Sequence, residues 1–308
     1  MSLDPAYLEY AKRQRGMDHE LYPWSNLFAR PPLAWADGKR VLTWIVIDLE
    51  WFPITPEDKP FRAPGHMQTA YPDYRHYTAR DYGNRVGVYR LLDAAEKVGA
   101  RVSVAANGAI AERYPELIRD IVAGGHEIIA HSTDMNGTIA TGIGEDAERA
   151  LIVGSLDAIE AAAGARPTGW LSIARAQSFD TPRLLAEAGF AYMCDWVNDD
   201  LPYAMTTDAG PILNLPLNHE LSDRQILTVQ QQSVDSYCEQ MRDAFAWLDG
   251  EAKVYGGRML PLNVTPYIMG LPYRIAAFER LLLWLSEQDG HAFARGDAIA
   301  AQAVRPAP

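Results

Sequence analysis

Cysteine is nearly absent from this chain of 308 residues, and Cys194 and Cys238 are the whole supply. Two cysteines so far apart suggest neither a disulfide framework nor a zinc–thiolate site. No apolar run is long enough to span a bilayer, and the N-terminus lacks the basic-then-apolar pattern of a secretion signal. Positive charge is also in short supply. A net charge of -12 argues against nucleic acid or an anionic membrane as the main partner, although local arginines can still hold a small anion. Internal repeats and low-complexity segments are missing too. The expectation is a cytoplasmic protein of ordinary globular composition that acts on a small molecule.

What is present centres on Trp44-Ile-Val-Ile-Asp-Leu-Glu-Trp-Phe52. Thr43 to Ile47 is a β-branched apolar run, which suits a buried strand of a parallel sheet. It ends in Asp48 and Glu50. Residues two apart on a strand share a face, so the two carboxylates lie side by side at the strand's C-terminal end, where α/β folds place their ligands. Like charges that close raise one carboxylate pKa, as acid/base work near neutrality requires.

Residues 1–38 are rich in proline, aromatics and charge and read as an arm packed on a body formed by 39–308. Trp51 to Tyr82 is a long irregular segment with five prolines, of a length that usually covers a site. Strand and helix patterns then alternate. Helices are predicted over Val86–Val98, Pro115–Ala123, Asp146–Ala163, Thr181–Ala188, Val234–Leu248 and Tyr273–Ser286. Strands are predicted over Arg101–Ala106, Glu127–Ala130, Gly169–Ser172, Ala191–Trp196, Ile212–Leu217 and Arg258–Val264. A short strand and a helical tail close the chain. About seven such units without a compositional break predict one α/β domain with a parallel sheet, as a barrel rather than an open sheet.

Polar residues fall just after these strands: Asp48 and Glu50, Asn107, His131, Asp195 with Asp199 and Asp200, His219 with Glu220, then Asn263. Strand ends of this kind converge on one face of a barrel. His131 reads as the general acid/base, or as a capping or buried histidine. His126 reads as structural. His66 and His76 lie in the long loop, as surface groups or as gate contacts. A metal site would need several His and carboxylate ligands, of which Asp48, Glu50 and His131 supply three.

Several blocks carry a family resemblance. They are Tyr82-Gly-Asn-Arg-Val-Gly-Val88, Tyr114-Pro-Glu-Leu117, Gly125-His-Glu-Ile128, Gly169-Trp-Leu-Ser172, Asp195-Trp-Val-Asn-Asp-Asp200 and Thr265-Pro-Tyr-Ile-Met-Gly270. Over roughly residues 40 to 300 the chain resembles the polysaccharide deacetylase superfamily, and within it the branch of allantoinases and cyclic-imide hydrolases. The resemblance implies a distorted (β/α)7 TIM-like barrel, hydrolysis of a carbon–nitrogen bond, and assembly into a homo-oligomer, dimer or tetramer. It also exposes departures. The paired-Asp motif of the sugar deacetylases becomes Asp48-Leu49-Glu50. Their His-x-x-x-His motif keeps His131 but has Met135 in the second place, and a thioether is a poor zinc ligand. Their Gly-Tyr-Arg arginine is Leu171, and the C-terminal histidine before Thr-Pro is Asn263.

The resulting expectation is a cofactor-free amidohydrolase for a small cyclic amide, ureide or imide. Glu50, with Asp48, activates water, and His131 protonates the leaving nitrogen or assists the base. Asn107, Asn136 and Asn263 donate to the developing oxyanion. Trp51, Trp170 and Trp196 wall the pocket or fill core. Arg85 holds an anionic group or caps a helix, and Asp199 joins the substrate side or serves a turn. Two alternatives stand beside this reading. One is a deacetylase of acetylated sugars using zinc or another divalent metal on Glu50 and His131; the other is an inactive barrel that binds a small molecule.

Overall fold

Val41–Leu49 forms β1, buried along its whole length, and the rest of the sheet is laid out from it. The computed structural model describes residues 18–55, 72–140 and 142–303. After β1 come α1 (Tyr74–Tyr82), α2 (Val88–Glu96), β2 (Ser103–Ala106), α3 (Gly108–Arg113), α4 (Pro115–Ala123) and β3 (Glu127–Ala130). Next are α5 (Glu145–Ala163), β4 (Gly169–Trp170), α6 (Thr181–Glu187), β5 (Tyr192–Met193) and a hairpin of β6 (Tyr203–Thr207) with β7 (Gly210–Asn214). The chain finishes with α7 (Val234–Tyr255), β8 (Arg258–Val264), α8 (Ile275–Ser286), β9 (His291–Phe293) and α9 (Gly296–Ala303).

Parallel strands run in the order β7-β5-β4-β3-β2-β1-β8, with β6 antiparallel on the outside of β7. This is the distorted (β/α)7 barrel. One edge of β1 pairs with β8 from Val41 to Ile47, while its other edge is divided, β9 taking Val41–Thr43 and β2 taking Val46–Leu49. Among the described residues β7 and β8 share no ladder, so the barrel is open between them.

Two cores follow from the alternation of side chains along the strands. Leu42, Trp44 and Val46 of β1 join Ala105, Ile129, Tyr192 and Met259 in an inner cluster. Ile45, Ile47, Leu49, Val104 and Leu262 join the helices in an outer one. Asp48 continues the inward row of β1, His131 follows Ile129 two residues on, and Asn263 lies on the inward row of β8 with Met259. The register that fills the barrel thus delivers these polar groups to its C-terminal mouth.

The opposite end is closed by α9, whose Ile299 and Ala300 enter the inner cluster. There Glu127 is buried, accepting hydrogen bonds from Ser103 Oγ (2.5 Å), Tyr192 Oη (2.6 Å) and the Asp297 amide (3.2 Å). Burial, with the charge of Asp297, raises its pKa to about 7 against the donors that lower it. The stabilisation this proton represents is fully present below about pH 4.5 and is lost as pH rises through about 7, a few kcal/mol in all. Glu127→Gln should therefore flatten the fall in melting temperature from pH 5 to 8 and raise it by roughly a few degrees at pH 8. A thermal unfolding series checks this. Asp223, raised by burial to about 7, acts in the same direction, so the slope is reduced rather than erased.

Some predicted elements differ in the structure. Residues 1–17 of the arm, and 56–71 of the long segment with His66, lie outside the described residues. The end of that segment is α1, capped by Asp73, whose Oδ1 accepts from the His76 amide at 2.9 Å. Its sequence carries no apolar stripe at helical spacing, which is why it read as irregular. The helix start predicted at Val86 is a π-turn, Gly83–Gly87, pressed on Pro266 and Tyr267. A Cβ at Gly87 would sit 2.1 Å from the Pro266 carbonyl oxygen. The arm from residue 18 docks through Trp35, whose Nε1 donates to the Arg258 carbonyl at 2.8 Å, and through the Arg30–Asp199 ion pair at 2.7 Å.

Candidate active site

Asp48 and Glu50 are both buried at the mouth of the barrel, but their surroundings divide them. Glu50 Oε1 is paired with Arg224 Nη2 at 2.8 Å and Oε2 accepts from Tyr267 Oη at 2.5 Å. Arg224 Nη1 also donates to Tyr267 Oη at 2.8 Å, so carboxylate, phenol and guanidinium close a triangle. Burial opposes the charge on Arg224, yet Glu50, Tyr267 and Asp48 hold its pKa well above the ordinary value. Behind Tyr267 stands Arg80, its guanidinium carbon 4.7 Å from the centre of Phe52 and 5.3 Å from that of Tyr267. Its Nε and Nη2 are buried without a hydrogen-bond partner among the described residues.

Asp48 is the freer carboxylate. Asn263 Nδ2 donates to its Oδ1 at 2.8 Å. Burial first, then the charge of Glu50, raises its pKa, while His131, Arg224 and Asn263 pull the other way. His131 Nδ1 lies 2.7 Å from the Leu171 carbonyl oxygen. A carbonyl only accepts, so Nδ1 carries the hydrogen and the neutral ring keeps its Nε2 lone pair for chemistry.

A second polar group adjoins this one. Asp195 Oδ1 accepts from the Ser172 amide at 2.7 Å, and its Oδ2 accepts from Ser172 Oγ at 2.8 Å and Gln177 Nε2 at 2.6 Å. Burial raises its pKa against those three donors. Arg175 Nε and Nη2 donate to the Leu217 carbonyl at 3.2 and 3.0 Å, and Nη1 lies 3.5 Å from His219 Nδ1. Burial lowers the pKa of both Arg175 and His219. Arg175, Gln177, Asp195 and Trp196 line a cavity of about 350 Å³. A larger cavity, about 940 Å³, lies between arm and body and is lined by Asp199; Asp48, Glu50 and His131 line neither cavity, and the smaller one is joined to them through the 171–172 turn, where the Leu171 carbonyl meets His131 Nδ1 and Ser172 meets Asp195.

The other expected site residues divide between mouth and frame. Asn107 is held by backbone on both sides: its Oδ1 accepts from the Trp51 amide at 2.7 Å and its Nδ2 donates to the His131 carbonyl, which makes it part of the frame that joins the two loops. Asn263 gives an Nδ2 hydrogen to Asp48. Asn136 is half-buried, its backbone amide donating to Asp134 Oδ1 at 2.8 Å. Trp170 is core, facing outward against Phe190. Trp196 borders the smaller cavity and donates Nε1 to Gln177 Oε1 at 2.7 Å. Trp51 packs on Tyr77, Tyr114 and Arg113. Arg85 is 74% exposed and 3.8 Å from Asp81, a surface pair rather than a substrate anchor. Asp199 ties down the arm through Arg30. His126 is structural, its Nδ1 accepting from the Val102 amide at 3.1 Å, and His76 faces Phe52 from α1. Sequence reasoning gave no role to Arg224, Arg175, Asp223 or Tyr267. Of these only Tyr267 lay in a quoted block.

Zinc of the sugar-deacetylase kind would need three free His, Cys or carboxylate donors at this mouth. Both Glu50 oxygens are engaged, Met135 is buried in the outer core, and no three His, Cys, Asp or Glu among the described residues form a ligand group. The donor set does not fit such an ion.

A polysaccharide deacetylase family model matches residues 76–193. A probable polysaccharide deacetylase from Pseudomonas aeruginosa PAO1 superposes with a TM-score of 0.80 at 27% identity, covering 91% of this chain and 97% of its own. PuuE allantoinase gives 0.78 at 26% identity, with 91% and 97% covered. A family 4 carbohydrate esterase pseudoenzyme from Bacillus anthracis, at 0.51 and 10% identity over 85% and 66% of the two chains, shares the fold alone. Comparison with curated proteins returns no match. Fold and matched segment define a hydrolase of carbon–nitrogen bonds. Over residues 76–193 the chain is similar to the polysaccharide deacetylase family, and its structural neighbours include an allantoinase.

Proposed function

We propose that the protein hydrolyses a small cyclic amide, ureide or imide without a metal, with Asp48 as the base. The observation that carries this reading is the unequal treatment of the two carboxylates. Glu50 is paired with Arg224 and hydrogen-bonded by Tyr267, while Asp48 keeps a raised pKa and has one donor among the described residues, Asn263. A buried carboxylate with a raised pKa is a stronger base than one in water. Asp48 takes a proton from water as its oxygen attacks the carbonyl carbon. Asp48 passes that proton to the Nε2 lone pair of His131, which delivers it to the nitrogen as the carbon–nitrogen bond breaks, so both groups return to their starting states. In this reading Asn263 orients Asp48, and the Glu50–Arg224–Tyr267 triangle supports it electrostatically.

The test is a hydrolysis panel of allantoin, dihydrouracil and succinimide beside acetylated glucosamine oligomers, with metal analysis and a chelator arm. Turnover of a cyclic substrate should survive chelation with less than a twofold change. Turnover of an acetylated sugar that stops with chelator would overturn the proposal in favour of a metal-dependent deacetylase. Ligand binding with no turnover would point to a binding protein.

A further inference from the structure

Arg175 is a half-buried residue whose guanidinium forms no ion pair among the described residues; Asp48 and Asp195 act on it only through space. It follows Ala174, and both have left-handed backbone, φ 54° and 55°, a conformation that costs energy in non-glycine residues and persists where its surroundings hold it. The Leu217 carbonyl and His219 do not exhaust its five N–H groups. Asp195, across the cavity lining, has three donors placed on it by Ser172 and Gln177, and Oδ1, with one of them, keeps a lone pair. The lining is thus electrically mixed: a donor cation and an acceptor carboxylate, walled by Trp196 and Tyr22. Its volume of about 350 Å³ suits a small ring.

We infer that this cavity is the recognition subsite for the part of the substrate that is not hydrolysed, and that it selects an uncharged ureide or imide edge. Arg175 donates to a carbonyl oxygen of that edge and Asp195 accepts from the neighbouring N–H. A substrate carboxylate placed there would gain Arg175 but face Asp195. The inference rests on the proposed function and deepens it by naming the substrate class as neutral.

The experiment compares dihydrouracil with dihydroorotate, its carboxylated counterpart, alongside allantoin and succinimide. Wild type should prefer the neutral rings by at least tenfold in kcat/KM. Arg175→Gln should raise KM for them roughly tenfold to a hundredfold, as loss of a charged hydrogen bond does, with kcat changed much less and Arg175→Lys intermediate. Asp195→Asn should narrow the gap between neutral and carboxylated rings. Circular dichroism and melting temperature check each fold. If one variant does not fold, the other two decide. A carboxylated ring preferred by wild type, or neutral-ring KM and selectivity unmoved in the folded variants, overturns the inference and leaves the proposed function standing. No turnover of any ring removes both.

Discussion

Asp48→Asn should lower kcat by about a thousandfold, the middle of the range for a positioned general base, with KM changed no more than a few-fold. The substitution is nearly isosteric, and an asparagine oxygen can still accept from Asn263 Nδ2, which lies 2.8 Å away. What disappears is the group that takes the proton. Burial and the charge of Glu50 raise the Asp48 pKa, so removing that carboxylate also removes a cost to folding. The variant should melt at or above the wild-type temperature between pH 6 and 8. Loss of turnover in a fully folded protein is the expected result; a kcat within tenfold of wild type would assign the base elsewhere. In wild type the active form has Asp48 ionised, so activity should rise with pH, its acid limb above the usual carboxylate range. Initial rates from pH 4 to 8 give that limb.

How much of this was legible in the sequence depends on period two. The run Leu42, Trp44, Val46, Asp48 alternates with Val41, Thr43, Ile45, Ile47, and the barrel fills with the first row. His131 and Asn263 followed from the same spacing on β3 and β8. Trp170 shows the limit. It sits one residue off the inward row, so it packs outward against Phe190, and a two-residue strand gave too little pattern to decide its face. Asn107 looked like a free amide because strand ends often present one, but its bonds to Trp51 and His131 are visible only once loops 51 and 131 meet. Arg224 and Arg175 had no signal. Each sits on an irregular turn, Arg224–Val229 and Ile173–Arg175, where neither helical nor strand spacing applies. Tyr267 lay in a recognised block, yet only the fold sets it across from a carboxylate 217 positions away. The polar α1 was missed for the complementary reason, since its stability comes from its cap and from contacts rather than from an apolar stripe.

Glu50→Gln is expected to have the larger effect on folding and a different effect on rate. Arg224 is 12% exposed and pairs at 2.8 Å with the buried Glu50. Removing one member of a buried pair leaves the other charge uncompensated, at a cost of about 3–5 kcal/mol. Chemical denaturation should show that loss, and Glu50→Gln combined with Arg224→Met should restore much of it, because two apolar or neutral groups avoid the stranded charge. A simple cavity at this position would instead worsen in the double variant. The same substitution bears on Asp48 in a direction that can be worked out. Glu50 raises the Asp48 pKa and Arg224 lowers it. Glu50→Gln deletes the first influence and leaves the second unopposed, so the Asp48 pKa falls and the acid limb of activity moves to lower pH. A weaker base also transfers its proton with less driving force, so kcat on the plateau should fall by roughly tenfold. Stability loss, rescue by Arg224→Met and a downward shift of the acid limb together identify Glu50 as the carboxylate that sets up Asp48. An acid limb that moves upward, or vanishes while the fold persists, would return the role of base to Glu50.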